Sequence, residues 1–469
     1  MAIPKEILEL KPKNTRVKAT SDPNIFNVIK RTSTIKNGRP YPVELGVIGK
    51  IIKGVYHELV INEYDVDTKN YGCFKLCENL NEDIFAELLK FYDYEDARKI
   101  FVMASLRTVV EDLKNEHIQH EYQTSFISEK YRNCGLSPNT ISVFLDKIGK
   151  ATTIIEKFMN YRLNKFSNNP IVIDGMLKSN TSTTNIFSEF SRKSRIKGSL
   201  DLNLIYAYDI KNEEPLASAV YPGNMLDYTA FRDFLRTFEV QNGFLIMDKG
   251  FNDIESKALM SEKSIKYLLP MRNTGTLKKL NSTTGFKTSF KLGEDTIRAK
   301  KIKKENTFFY CFVSTNSKSA QERAYMEKVS KRNSYDEEKY LEKQEYFGLI
   351  VFESNADLPL KEIYIAYKKR WEIEELFRTF KNILDQSEEN VHGTYRVIAS
   401  EFINFISTIM ISRIKNHLTK LGLLEKNSLP KILKYLNKIF MRRGIRKKET
   451  WVRSKTLKYI EELAQTLGI

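Results

Sequence analysis

The stretch NPIVIDGM, residues 169–176, sets three consecutive β-branched residues against a single acid. Ile171, Val172 and Ile173 show no polar–apolar alternation, which is the pattern of a strand covered on both faces. We read the run as a strand ending in Asp174, with Gly175 behind it allowing backbone to approach a ligand closely. GFLIMDKGF, residues 243–251, repeats the theme: an apolar strand, then Asp248, then Gly250. Between the two lie LDLNLIYAYDI and PLASAVYPGN, strands joined by the turn KNEE, and the helical DYTAFRDFLRTFEV. NDIESKALMSEKS reads as a helix and IKYLLPMR as a strand. Three strands, a helix, a strand, a helix and a strand predict an α/β sheet with helical cover. LIYAYD also ends in an acid, but Asp209 opens the short turn DIKNEEP, where aspartate caps a hairpin for ordinary reasons.

Working outward, residues 273–345 break the pattern with polar strands (FKTSFKLG, TIRAKKIKK, NTFFYCFVS) and a charged helical stretch, and read as an insertion. YFGLIVFES then resumes the sheet. Upstream, residues 15–65 read as short strands and turns, and 82–150 as helices. SEKYRNCGLSPNTISVFLDKIGK contains a possible helix-turn-helix at 128–149: a turn at Gly135, Ser137 as cap, and Ile141, Phe144, Leu145 and Ile148 facing inward. Beyond 395 everything reads as helical, including a stretch at 428–458 with eleven Lys/Arg and one acid, Glu449. The expected organisation is an N-terminal DNA-binding region (1–150), a core (165–400) interrupted by the insertion, and a basic helical region (401–469).

The 469-residue chain carries a formal net charge of +17 despite 59 acidic residues. Folded basic surfaces of this kind most commonly meet nucleic acid, through phosphate neutralisation and counterion release. The best candidate for a membrane span, VIASEFINFISTIMISRI (397–414), contains Glu401, Asn404 and Arg413 and is expected to be a buried helix, so no membrane partner is expected. Four scattered cysteines argue for a reducing, cytoplasmic setting and against a disulfide framework. Cys73 and Cys77 lack the second pair that a zinc site needs.

The stretch YKKRWEIEELFRTFK, residues 367–381, reads as one amphipathic helix. At about 100° per residue, Tyr367, Arg370, Glu374, Arg378 and Lys381 fall within roughly 80° of one another. Ile373, Leu376, Phe380 and Leu384 form a separate apolar face, with Trp371 and Phe377 at its borders. A solvated face with i,i+4 pairs such as Glu374–Arg378 accounts for the charged stripe on its own. The alternative is that Asp174, Asp248 and Glu374 converge at one sheet edge. Three such carboxylates can hold two Mg2+ ions for in-line attack on a phosphodiester, with the basic neighbours holding the DNA backbone.

The helix also carries Y-(2)-R-(3)-E-(6)-K, as Tyr367, Arg370, Glu374 and Lys381. This resembles the signature of the DDE transposases of bacterial insertion sequences in the IS-four superfamily. IVIDG and LIMDKGF look like that family's two aspartate motifs, PGNMLD like the segment between them, and GLIVFESN like its final core strand. The resemblance covers about residues 165–415. It implies a ribonuclease-H-like catalytic core with a β-rich insertion, flanked by mainly helical regions. It further implies that Asp174, Asp248 and Glu374 are the catalytic, metal-binding triad, using two Mg2+ ions for which Mn2+ can substitute. By the same resemblance Tyr367, Arg370, Arg378, Lys381, Arg272 and Trp371 would contact DNA. The insertion lacks the tryptophan with which some relatives stack a flipped base, so a hairpin intermediate stays open; Phe308, Phe309 or Tyr310 are the substitutes at hand. The implied activity is DNA transposition: strand hydrolysis at terminal inverted repeats, then 3′-OH transfer into target DNA by a homodimer assembled on double-stranded DNA. Two rivals are a metal-dependent nuclease that never joins strands and a non-enzymatic DNA-binding protein.

Overall fold

The computed structural model describes all residues other than 1–2, 37–38, 60–65, 168, 181, 195–197, 241–243, 272–273, 333, 371–387, 390 and 445–449. The chain divides into two units, Met1–Thr68 with Arg442–Val452, and Lys69–Met441 with Arg453–Ile469.

The first unit is built on a four-stranded antiparallel sheet, β1 (Thr15–Ala19), β2 (Ile25–Lys36), β3 (Arg39–Ile52) and β4 (Val55–Glu58), in chain order. Alternation along the strands turns Val17, Phe26, Val28 and Ile51 to one face, where Ile3, Ile7, Ile48 and Tyr56 pack on them. Gly49 is needed there, because a Cβ would lie 2.5 Å from the Tyr56 ring. The hairpin β2–β3 outruns its neighbours: β1 pairs only with Phe26–Lys30 and β4 only with Gly49–Ile52.

In the second unit, β5 (Pro170–Asn180), β6 (Leu200–Asp209) and β7 (Glu214–Pro222) form an antiparallel meander. The chain then passes through helix Asp227–Thr237 to β8 (Phe244–Met247), and through helix Ile254–Glu262 to β9 (Lys266–Pro270). β8 lies parallel to both β5 and β9, giving the order β7-β6-β5-β8-β9. The buried triplets Ile171–Ile173 and Leu245–Met247 sit side by side in this register, which is why both runs lack polar alternation. Asp174 lies within β5 rather than at its end. The strand continues to Asn180 on its β6 side, while pairing with β8 stops at Ile173.

Residues 273–345 extend the same sheet. β10 (Thr288–Leu292), β11 (Asp295–Lys304) and β12 (Thr307–Ser314) pair antiparallel in succession, and β13 (Leu349–Ser354) sits between β12 and β9. Helices Thr274–Lys279, Thr315–Lys331 and Glu337–Gln344 also belong to the segment.

Helix Thr394–Lys420 packs against helices Gly72–Leu88, Tyr94–Val109 and Pro138–Lys150 and against β7. It is long and apolar enough to cross a membrane, yet 89% of its most apolar window is buried inside the protein. Charged residues cross this helical layer in a network that reaches the surface at Asp83. Arg162, with no exposed surface, binds Glu87 at 2.7 Å and Glu214 at 2.8 Å, and Arg413 binds Glu214 at 2.7 Å and Asp83 at 2.5 Å. The C-terminal stretch departs from the all-helical expectation. Helix Leu429–Leu436 buries Leu433 and Leu436 and exposes Lys431 and Lys434, but Phe440–Gly444 and Val452–Arg453 are strands. The 3.6-residue spacing lapses after Leu436, and FMRR cannot bury one helical face.

Candidate active site

The parallel register of β5 and β8 decides where the two aspartates go. Ile173 is paired with Met247, the last residue of β8, so Asp174 within β5 and Asp248 just after β8 are neighbours, roughly 5 Å apart along the backbone. The apolar residues before them are fully buried, whereas the Asp174 and Asp248 side chains are 17% and 38% exposed. The chain turns sharply after Asp248: the Phe251 N–H donates to the Asp248 carbonyl at 3.1 Å, and the Phe251 ring is buried against Phe231. The Gly175 N–H donates to Asp174 Oδ1 at 2.9 Å. Gly175 is exposed, and a Cβ on it would lie 3.2 Å from Ile205 Cδ1.

A third element meets this pair. The helix over 360–370 follows β13 and buries Ile363 and Tyr364 in the core. One turn on, Tyr367 packs its ring on Phe352 of β13 with 4.4 Å between centroids. Arg370 then reaches the aspartates: its Nη1 stands 3.9 Å from Asp174 Oδ2 and 3.8 Å from Asp248 Oδ1. Arg370 is only 6% exposed, so a solvated helix face does not describe this position. A guanidinium between two carboxylates lowers their mutual repulsion.

Glu374, Trp371, Arg378, Lys381 and Arg272 lie outside the described residues. Among the described residues no three His, Cys, Asp or Glu side chains gather as a metal site. The donor chemistry of the pair nonetheless fits a hard divalent cation: two neighbouring, partly exposed carboxylates that already draw a positive group between them. The cysteines offer no alternative. All four are buried and free, with burial pushing the Cys77 thiol up to about 12 and Cys134 and Cys311 to about 11.

Asp209 caps its hairpin, accepting hydrogen bonds from the Lys211 N–H at 2.8 Å and Asn212 Nδ2 at 2.5 Å. Tyr310 is fully buried and donates to the Ala356 carbonyl at 2.7 Å, which withdraws it from any base-stacking role. The inward reach of Arg370 was not foreseen. Its only sequence signal is the i, i+3 and i, i+7 spacing from the core residues Tyr367 and Ile363.

Residues 170–397 match the family model of the transposase DDE domain. The matched segment begins at the first residue of β5 and contains Asp174, Asp248 and Arg370, and the match supports a DDE transposase. No curated protein matches the chain.

Proposed function

We propose that, within this transposase family, the chain serves an insertion sequence of the IS-four type. It binds terminal inverted repeats, cuts a strand at each end and transfers the 3′-OH into target DNA. The observation that carries the reading is the meeting of Asp174, Asp248 and Arg370 at the open end of the β5–β8 pair. The order β7-β6-β5-β8-β9, with only β5, β8 and β9 parallel, supports a ribonuclease-H-like core.

Asp174 and Asp248 would hold divalent cations, Mg2+ or Mn2+, with Glu374 as the third acid. Bound there, a metal pair lowers the pKa of the attacking water or 3′-hydroxyl and stabilises the leaving oxygen. The chain's own groups do the rest. The two strands fix the carboxylates on a rigid sheet, and the Tyr367–Phe352 contact holds the helix that presents Arg370 to a phosphate beside them. Arg378, Lys381, Arg272 and Trp371 are the further DNA contacts in this reading. Two ends must be held together, so a dimer on DNA is expected. Residues 1–150 would recognise the ends.

Asp248→Asn tests the reading. Partners one shell removed from a metal already cost about 10–100-fold when lost, so cleavage should fall more than about a hundredfold while DNA binding survives. Unchanged cleavage overturns the metal role. A strand-transfer assay with pre-cut ends separates transposase from nuclease: joined product is expected, and cutting without joining refutes transfer.

A further inference from the structure

We propose that the two-stranded ribbon formed by residues 31–36 and 39–44 reads duplex DNA by entering the major groove. Its reading face carries Thr32, Thr34, Arg39 and Tyr41. The inference rests on DNA as the partner and adds which element of the N-terminal region reads sequence.

Among the described residues no third strand pairs with the β2–β3 hairpin from Arg31↔Glu44 to Lys36↔Arg39, and only its base is tied to the rest of the unit, where the Arg31 N–H donates to the Asn14 carbonyl at 2.8 Å. Six residues per strand at about 3.3 Å each give a ribbon roughly 20 Å long. A lone hairpin of that kind is marginal in water and gains from a partner. The major groove, about 12 Å wide, admits a two-stranded ribbon. At the ribbon's base the register shifts twice, between Val28/Ile29 and Lys30/Arg31. Gly46 lies there with φ at +122°, and such bulges bend and twist a hairpin away from its sheet.

Directly opposed residues share a face. On one face stand Arg31 with Glu44, Ser33 with Pro42 and Ile35 with Pro40, and the Glu44 carboxylate is held by Arg16 at 3.0 Å. The other face pairs Thr32 with Val43 and Thr34 with Tyr41 and continues to Arg39, with no acid on it. Thr32, Thr34 and Arg39 are exposed, and Tyr41 is 58% exposed. Hydroxyls and a guanidinium are the groups that hydrogen-bond base edges and phosphates. Residues 5–58 hold eleven Lys/Arg against five Asp/Glu, a balance that suits a polyanion. Pro40 and Pro42 offer no N–H along the outer edge of β3, which opposes strand addition by a second copy. The rival reader, helix Pro138–Lys150, buries Ile141, Phe144, Leu145 and Ile148 and leaves Val143 and Lys147 exposed. A Cβ on Gly149 would lie 1.7 Å from the Tyr395 carbonyl oxygen, and Lys147 and Lys150 pair with Asp96 and Asp146.

The test uses the full chain with fluorescent duplexes drawn from the DNA flanking its gene, against a shuffled duplex of equal composition. Thr34→Ala with Tyr41→Ala, and separately Arg39→Ala, should weaken flanking-DNA binding roughly tenfold or more, toward the shuffled level. Ser33→Ala and Ile35→Ala, on the opposite face, should leave it unchanged. Hydrogen exchange on the parent protein needs no variant to fold: amides of residues 32–35, 41, 43 and 44 should gain protection with flanking DNA. Reading-face variants that bind like the parent, or no gained protection, overturn the proposal. So does a change in oligomeric state without a change in DNA affinity, which makes the ribbon a self-association element. A parent protein that binds neither duplex defeats the DNA reading of the whole chain, and the ribbon with it.

Discussion

Two clusters of charge in the second unit are made of the same chemical groups and are built differently. In the helical layer Arg162 lies between Glu87 and Glu214 at 2.7 and 2.8 Å, with the arginine wholly buried and each glutamate side chain 5% exposed. At the end of β5 and β8, Arg370 also lies between two carboxylates, but at 3.9 and 3.8 Å, and the Asp248 side chain is 38% exposed. The first cluster is made of hydrogen-bonded ion pairs between side chains at most 5% exposed. In the second, Arg370 stands from each aspartate at a distance where attraction persists without a direct hydrogen bond between guanidinium and carboxylate. Tight pairing suits a charge cluster that supports the fold; under the proposed metal role, the longer separations at the end of β5 and β8 leave the cation position open to exchange.

The sharpest way to break that contrast is to remove the central cation from each cluster in turn. Arg162→Met leaves Glu87 and Glu214 buried with their remaining partners, Lys165 and Arg413. Stripping one partner from a buried pair typically costs about 3–5 kcal/mol, and urea unfolding should show a loss of that size with divalent-ion binding unaltered. A loss below about 1 kcal/mol would place this network with ordinary surface pairs. Arg370→Gln should behave oppositely. Unit charges 4 Å apart interact by about 4 kcal/mol at an effective dielectric constant of 20, and only part of that opposes an incoming metal. Calorimetric titration of the DNA-free protein with Mn2+ should therefore show roughly tenfold tighter binding, about 1.4 kcal/mol. Binding that is unchanged or weaker would mean that Arg370 does not compete for the cation position.

The site strands were legible because burial on both faces writes itself as an unbroken apolar run. IVI and LIM needed only their register to bring the following acids together, and the parallel pairing supplies it. The length of β5 was not legible, because one neighbour leaves at Ile173 while the other stays to Ser179, and sequence carries no mark of a partner's departure. The Arg162 network was equally hidden. Glu87, Arg162, Glu214 and Arg413 sit on separate elements and look like solvated charges until the fold brings them together. At the N-terminus, short strands were expected, but the excess length of β2 and β3 over their neighbours depends on pairing rather than composition.

The smallest expected effect concerns a pair between these extremes. Lys147, on helix Pro138–Lys150, binds Asp96 at 2.5 Å with its side chain 60% exposed and that of Asp96 12% exposed. The hydrogen bond to Asp96 raises the Lys147 pKa, so its ammonium is charged throughout the neutral range and is available in principle to DNA as well as to Asp96. Half-exposed pairs contribute at most about 1 kcal/mol, so Lys147→Gln should lower stability by less than that. If the helix is scaffold, affinity for flanking DNA stays the same and its salt dependence keeps its slope. A phosphate contact would instead reduce that slope by about one. A reduced slope would return DNA recognition to the helix and set the exposed lysine apart from both buried clusters: its value would lie in the charge it lends outward.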